Sequence, residues 1–218
     1  MNTDQRRIPP TDPYSIELSY AHRHHWASTS DDGPEIWHIS ADVHPDGAED
    51  PISHVADIEI VLINPYDTRD AFGVLDGYDG DLGLIAETVL DPATGRLNPD
   101  LAARLEPFGS HLMILNQVQL SPEWRGFGLG VVLAGLAIKR LSRGCQAAVC
   151  YPWPLNGPDN DQTDEDPIQR QVAVATLSDV WSQLGFEHFR DGVHVLDLAL
   201  VTLNEAIERL RERVIRYA

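Results

Sequence analysis

The sequence predicts one α/β domain, an α+β arrangement in which a mixed, largely antiparallel sheet is flanked by helices, and three observations support it. Three β-rich runs, residues 16–27, 35–43 and 54–63, are separated by turn-rich segments such as Ser30-Asp31-Asp32-Gly33-Pro34, the spacing of an antiparallel meander. Residues 111–120 end in clean alternation and pass through a glycine-rich turn into 131–143, which is apolar nearly all round; this predicts a strand followed by a buried helix. The chain has 218 residues of which 43% are apolar, enough for one sizeable core.

Taken in order, residues 1–13 are polar and carry Pro9, Pro10 and Pro13, so a loose arm is expected to precede a domain spanning 14–201. Between 67 and 106, Leu82, Leu84, Ile85, Val89 and Leu90 form one apolar stripe, and Pro92, Gly95 and Pro99 interrupt the pattern; one or two helices are expected. Lys139, Arg140 and Arg143 followed by Gly144 close the helix of 131–143 with cations and a glycine stop. Residues 145–151 read as a short buried strand. Residues 152–167, with Pro152, Pro154, Pro158 and Pro167 among acids, read as a loop. Ala173, Leu177, Val180, Trp181 and Leu184 share a helical face that Gly185 and Phe186 close, and 193–200 alternate into a last strand. Thr202-Leu203-Asn204-Glu205 is a capping-box pattern opening a helix over 202–218, with Leu203, Ile207, Leu210, Val214 and Tyr217 apolar. That stripe must be covered by the domain or by a partner chain, so a homodimer is one expectation.

Sixteen Lys+Arg against 34 Asp+Glu give a formal net charge of −18, which repels phosphate backbones and anionic leaflets at long range. Nucleic acid and membrane are therefore poor partners. No stretch approaches the roughly 18 apolar residues of a spanning helix. Residues 1–10 lack the apolar run of a signal peptide, and two cysteines make no disulfide scaffold, so a reduced, cytoplasmic protein is expected. Cys145 and Cys150 lie five apart on one strand, which predicts side chains on opposite faces. His22 and His24 share a strand face without a cysteine or acid at ligand spacing, so no metal site is predicted.

The segment that carries chemistry is Leu120-Ser121-Pro122-Glu123-Trp124-Arg125-Gly126-Phe127-Gly128-Leu129-Gly130. Three glycines at two-residue spacing let successive backbone N–H groups converge, and a helix start adds partial positive charge, which together suit phosphate oxygens. Arg125 can add a charge-assisted contact. The spacing departs from the Rossmann G-x-G-x-x-G, and the Walker A lysine is absent. The segment resembles motif A of the GCN5-related N-acetyltransferase (GNAT) superfamily, an Arg or Gln, two residues, a Gly, one residue, then Gly or Ala; Arg125, Gly128 and Gly130 occupy those places. Trp181-Ser182-Gln183-Leu184-Gly185-Phe186 is similar to the end of that family's fourth helix, commonly Tyr-x-x-x-Gly-Phe, and the strands at 145–151 and 193–200 follow in family order. The likeness covers 111–200 by motif and 14–107 by element order.

The resemblance implies a GNAT-like sheet with splayed central strands, to which the helix of 202–218 is an extra C-terminal element, binding acetyl-CoA or another short acyl-CoA without a metal. Val118, Gln119 and Leu120 would meet the pantetheine arm, and Arg125, Gly126, Phe127, Gly128, Leu129 and Gly130 the pyrophosphate. It implies an N-acetyltransferase that moves the acyl group directly to an amine in a ternary complex, a strand N–H polarising the thioester carbonyl. Where the family often has a carboxylate base and a tyrosine acid, this chain has Asn116 and Trp181, neither of which exchanges a proton near neutral pH. Val174 stands where asparagine is common. Tyr151, Glu59 and Glu87 are substitutes that sequence cannot rank, so no catalytic residue is assigned. Two alternatives stay open, a non-catalytic acyl-CoA-binding or regulatory protein and an interaction module built on the terminal helix. The acidic stretch 159–166 would adjoin the acceptor mouth, which is compatible with a cationic amine acceptor.

Overall fold

The computed structural model describes residues 8–24, 27, 33–44, 50–154 and 167–215. Seven strands form one sheet: β1 (Ile16–His22), β2 (Glu35–Val43), β3 (Ser53–Ile63), β4 (His111–Leu120), β5 (Cys145–Cys150), β6 (Glu187–Arg190) and β7 (Val193–Asp197), in the order β1-β2-β3-β4-β5-β7-β6. Neighbours are antiparallel except β4 and β5. A parallel pair needs a crossover, and α4 (Leu129–Leu141) supplies it. The mixed, mostly antiparallel sheet is thus as expected. The helix begins two residues before the apolar run that predicted it, because Gly128 with φ 74 turns the chain into it.

Three helices rather than one or two fill the segment after β3: α1 (Ala71–Tyr78), α2 (Gly80–Val89) and the single turn α3 (Pro99–Ala102). Asp79 ends α1 and caps α2, its Oδ1 accepting the Asp81 N–H at 3.1 Å, so a polar corner separates the two. The β6–β7 hairpin is an addition. Its turn is Asp191-Gly192, with φ 50 and 80, the pairing that two-residue hairpins favour.

Alternate strand residues feed two cores. Ala56, Ile58, Ile60 and Leu62 of β3 join a larger core with α4, α5 (Pro167–Ser182) and α6 (Thr202–Ile215), whereas Val61 and Ile63 join a second core under α1 and α2. Leu203, Ile207, Leu210 and Val214 of α6 are all buried in the larger core. Helix α6 comes close to α4 at Gly135, where a Cβ would stand 3.0 Å from Ile207 Cγ1. Those four residues of the apolar stripe are therefore covered within the chain, and Tyr217 lies outside the described residues. Helix α6 starts on Thr202 itself, with the Val201 carbonyl accepting from Asn204 and Glu205, rather than with Thr202 as the cap.

Two bulges overturn alternation arguments made from spacing. Opposite β3, register slips between Glu59 and Ile60, leaving Asn116 as the extra residue of β4. Val118 and Leu120 pack against the larger core, but Asn116 bonds Glu59 and so belongs to the other face. A second slip skips Gln146, and Cys145 and Cys150 consequently lie buried in the same core instead of on opposite faces. Where β4 and β5 begin, the Gly144 carbonyl accepts from Ser110 N at 3.0 Å and His111 N at 3.1 Å.

Candidate functional site

The parallel pairing of β4 and β5 ends at Leu115 and Cys150. Strand β4 continues through residues 116–120 paired only with β3, while β5 ends at Cys150, so among the described residues the β5-facing edge of 116–120 has no strand beside it. Asn116 and Tyr151 are the first residues past this fork.

The open edge leads into the glycine loop. Trp124 is fully buried with its indole N–H donating to Ser53 Oγ at 3.2 Å, and Phe127 and Leu129 are buried in the larger core, so these side chains anchor the loop and leave its backbone outward. Gly126 and Gly128 have φ of 89 and 74, the left-handed region that glycine enters freely. Gly130 has a different reason: a Cβ there would stand 2.7 Å from Leu120 Cδ1, so glycine lets α4 start against the strand. No side chain caps α4, and its first-turn N–H groups carry the partial positive charge of a 13-residue helix. Arg125 is exposed and its Nε donates to the Leu120 carbonyl at 3.0 Å, which ties the guanidinium beside the loop with its other donors unbonded among the described residues. Because Val118 and Leu120 side chains face the core, they and Gln119 offer the fork their backbone.

Beside the fork, on the α1/α2 face, Glu59 of β3 joins groups from three other elements. Asn116 Nδ2 donates to its Oε1 at 2.8 Å, and His38 Nδ1 lies 3.3 Å from its Oε2. Gln117 stands opposite it on β4. Tyr78, at the end of α1, has its phenol pKa pushed up by burial and then by the charges of Glu59 and Asp79. Asp81 is pushed up by burial and by Asp79, and Tyr151 by burial and by Asp81. A row of acids and phenols thus runs from β3 past the α1/α2 corner to the end of β5. Tyr151 is held by a stack on Trp153, ring centroids 5.6 Å apart.

Of the substitutes read from sequence, Glu59 and Tyr151 lie in this row, whereas Glu87 is exposed on α2. Trp181 is buried in the larger core. Val174 lines a cavity of about 440 Å³ with Trp153, Arg170, Gln171 and Ala175. The acidic stretch 159–166 lies outside the described residues. His38, Tyr78, Asp79 and Asp81 were not legible as site residues, because nothing in local sequence brings strand β2 and the α1/α2 corner to Glu59.

Elsewhere, His54 bridges two carboxylates, Nδ1 to Asp42 at 2.8 Å and Nε2 to Asp57 at 3.1 Å. Burial raises the Cys145 thiol to about 11 and drives Cys150 higher still. Among the described residues no group of three or more His, Cys, Asp or Glu could hold a metal ion, and no helix is long and apolar enough to cross a membrane. A scan against protein-family models finds no match, and a search of curated proteins finds none either.

Proposed function

We propose that the chain is an acyl-CoA-dependent N-acyltransferase of the GNAT type, most simply moving an acetyl group from acetyl-CoA to an amine. The observation that carries this reading is the open edge of β4 running directly into an uncapped helix start with Arg125 beside it. Supporting it are the strand order, the one parallel pair at its centre and the crossover through α4. In this reading the backbone of residues 116–120 lines the pantetheine arm, and the N–H groups of the glycine loop with Arg125 hold the pyrophosphate. A backbone N–H of the same stretch polarises the thioester carbonyl as negative charge develops on its oxygen. Holding the amine in the fork then makes attack intramolecular in effect.

Gly128 gives the test, since a Cβ there meets nothing within 4 Å and only its φ is restrictive. Asn and Asp both tolerate a left-handed backbone and differ by a charge. Calorimetry with CoA should give Gly128→Asn an affinity near that of the unaltered protein and Gly128→Asp a loss of at least about tenfold, from like charge against pyrophosphate. Equal affinities would remove the phosphate-loop reading.

The second reading, a non-catalytic acyl-CoA-binding protein, is favoured by one observation: Trp181, standing where the tyrosine acid is expected, is buried in the core. Saturable CoA binding without thiol release across a broad amine panel would select it.

A further inference from the structure

The acyltransfer reading leaves the proton of the attacking amine without a destination, since Asn116 has no basic atom and Trp181 is a buried indole. We propose that Glu59 is the carboxylate that receives the acceptor's reacting ammonium group and takes its proton, with Asn116 and His38 as positioning residues. The proposal rests on the reading above.

Its place in the sheet is the first argument. On the face it shares, Val61, Ile63, Leu112 and Ile114 are covered by the α1/α2 core, while Asp57, two residues back, is exposed. Glu59 lies at the boundary, its side chain 17% exposed. A carboxylate drawn that far from water needs partners, and the bulge supplies one by turning Asn116 onto this face. The position sequence marks as the missing base is thus bonded to a residue that can accept a proton.

Capacity is the second argument. A carboxylate offers about four lone-pair positions. Asn116 occupies one on Oε1, His38 faces one on Oε2 and the Tyr78 phenol bonds the carboxylate as well, which leaves about one position for an ammonium N–H. The groups facing Glu59 are His38 from β2, Asn116 and Gln117 from β4, and Tyr78 from α1, with Asp79 acting on Tyr78 behind it; among the described residues none of these is a lysine or arginine that would hold the acceptor's place. Asp79 and Asp81 nearby make the approach favourable to a cation.

The step balances. R–NH3+ gives one proton to Glu59, and the freed lone pair attacks the thioester carbonyl carbon, forming the C–N bond. Collapse breaks the C–S bond with the electron pair leaving on sulfur. The nitrogen loses its second proton to solvent, and Glu59 returns its own to the departing thiolate.

The test uses the full chain, CoA calorimetry, and thiol release from acetyl-CoA with spermidine, lysine amide and p-toluidine, the last of which is neutral near neutral pH. Glu59→Gln should keep CoA affinity, which also certifies folding. It should lose about 100-fold in kcat/KM with the two ammonium acceptors, together with the limb of the pH profile that reports the base, and change little with p-toluidine. Glu59→Asp should retain part of the rate, and Asn116→Ala should lower kcat about tenfold with that limb intact. The proposal is overturned if Glu59→Gln matches the unaltered protein, if its loss is equal for p-toluidine, or if CoA binds and no amine of the three releases thiol. Failure to bind CoA removes the acyltransfer reading itself, and the proposal with it.

Discussion

Between Leu115 and Gln117, β4 carries one residue more than β3 has places for, and what that residue does depends on which way the surplus turns it. Two-residue periodicity assigns Asn116 to the face of Val118 and Leu120; the bulge moves it to Glu59. A pattern argument cannot foresee this, because the bulge is a property of the pair of strands and the pattern is a property of one. The glycine loop is the opposite case. Its chemistry lies in contiguous residues 125–130, so spacing alone brought them to one place. Gly109 shows what a single hydrogen decides at the other end of the fork. With φ +80 and a Cβ that would stand 2.6 Å from the Gly144 carbonyl oxygen, it has neither the conformational nor the spatial room for a side chain. That oxygen sets the first register of β4 through Ser110 and His111. Gly109→Ala is therefore expected to cost about 2–3 kcal/mol in urea unfolding, the left-handed penalty plus backbone displacement.

At the scale of elements, the β2–β3 ribbon is stapled by His54. Its pKa is raised first by the hydrogen bond to Asp42, which burial opposes, and is raised further by Asp57. A base whose folded pKa is raised stabilises fully below its ordinary value near 6.5 and loses that contribution as pH rises through the higher folded value. The ribbon should thus weaken from about pH 6 to about pH 8, by less than about 1 kcal/mol because His54 is exposed to water. Urea unfolding at both pH values, compared with His54→Gln, measures it; an equal pH dependence in the variant would refute the assignment. Helix identities were legible where a glycine and a cation closed them, as at α4. The β6–β7 hairpin could also have been read, since Asp191-Gly192 is a turn signal between two short β-rich runs. The corner between α1 and α2 could not, because Asp79 serves both helices at once.

Over the whole molecule, a net charge of −18 sets a field hostile to any polyanion, so the phosphates of the proposed CoA would have to be held by short-range devices. The uncapped start of α4 and Arg125 are of that kind. The acids beside Glu59 act in the opposite sense and welcome a cation. Sequence supplied the sheet, the loop and the crossover, all built from local pattern; it could not supply the Glu59 network, whose members are dispersed over residues 38 to 117 and meet only when the sheet closes. The fork itself has a dynamic signature. Amide hydrogens of residues 112–115 lie between strands on both sides, whereas those of 116–120 that point away from β3 have no strand partner among the described residues. In deuterium oxide the second group should exchange orders of magnitude faster, and CoA, if it binds along this edge as proposed, should slow it selectively. Uniform exchange along β4, unchanged by CoA, would mean that the edge is closed in solution.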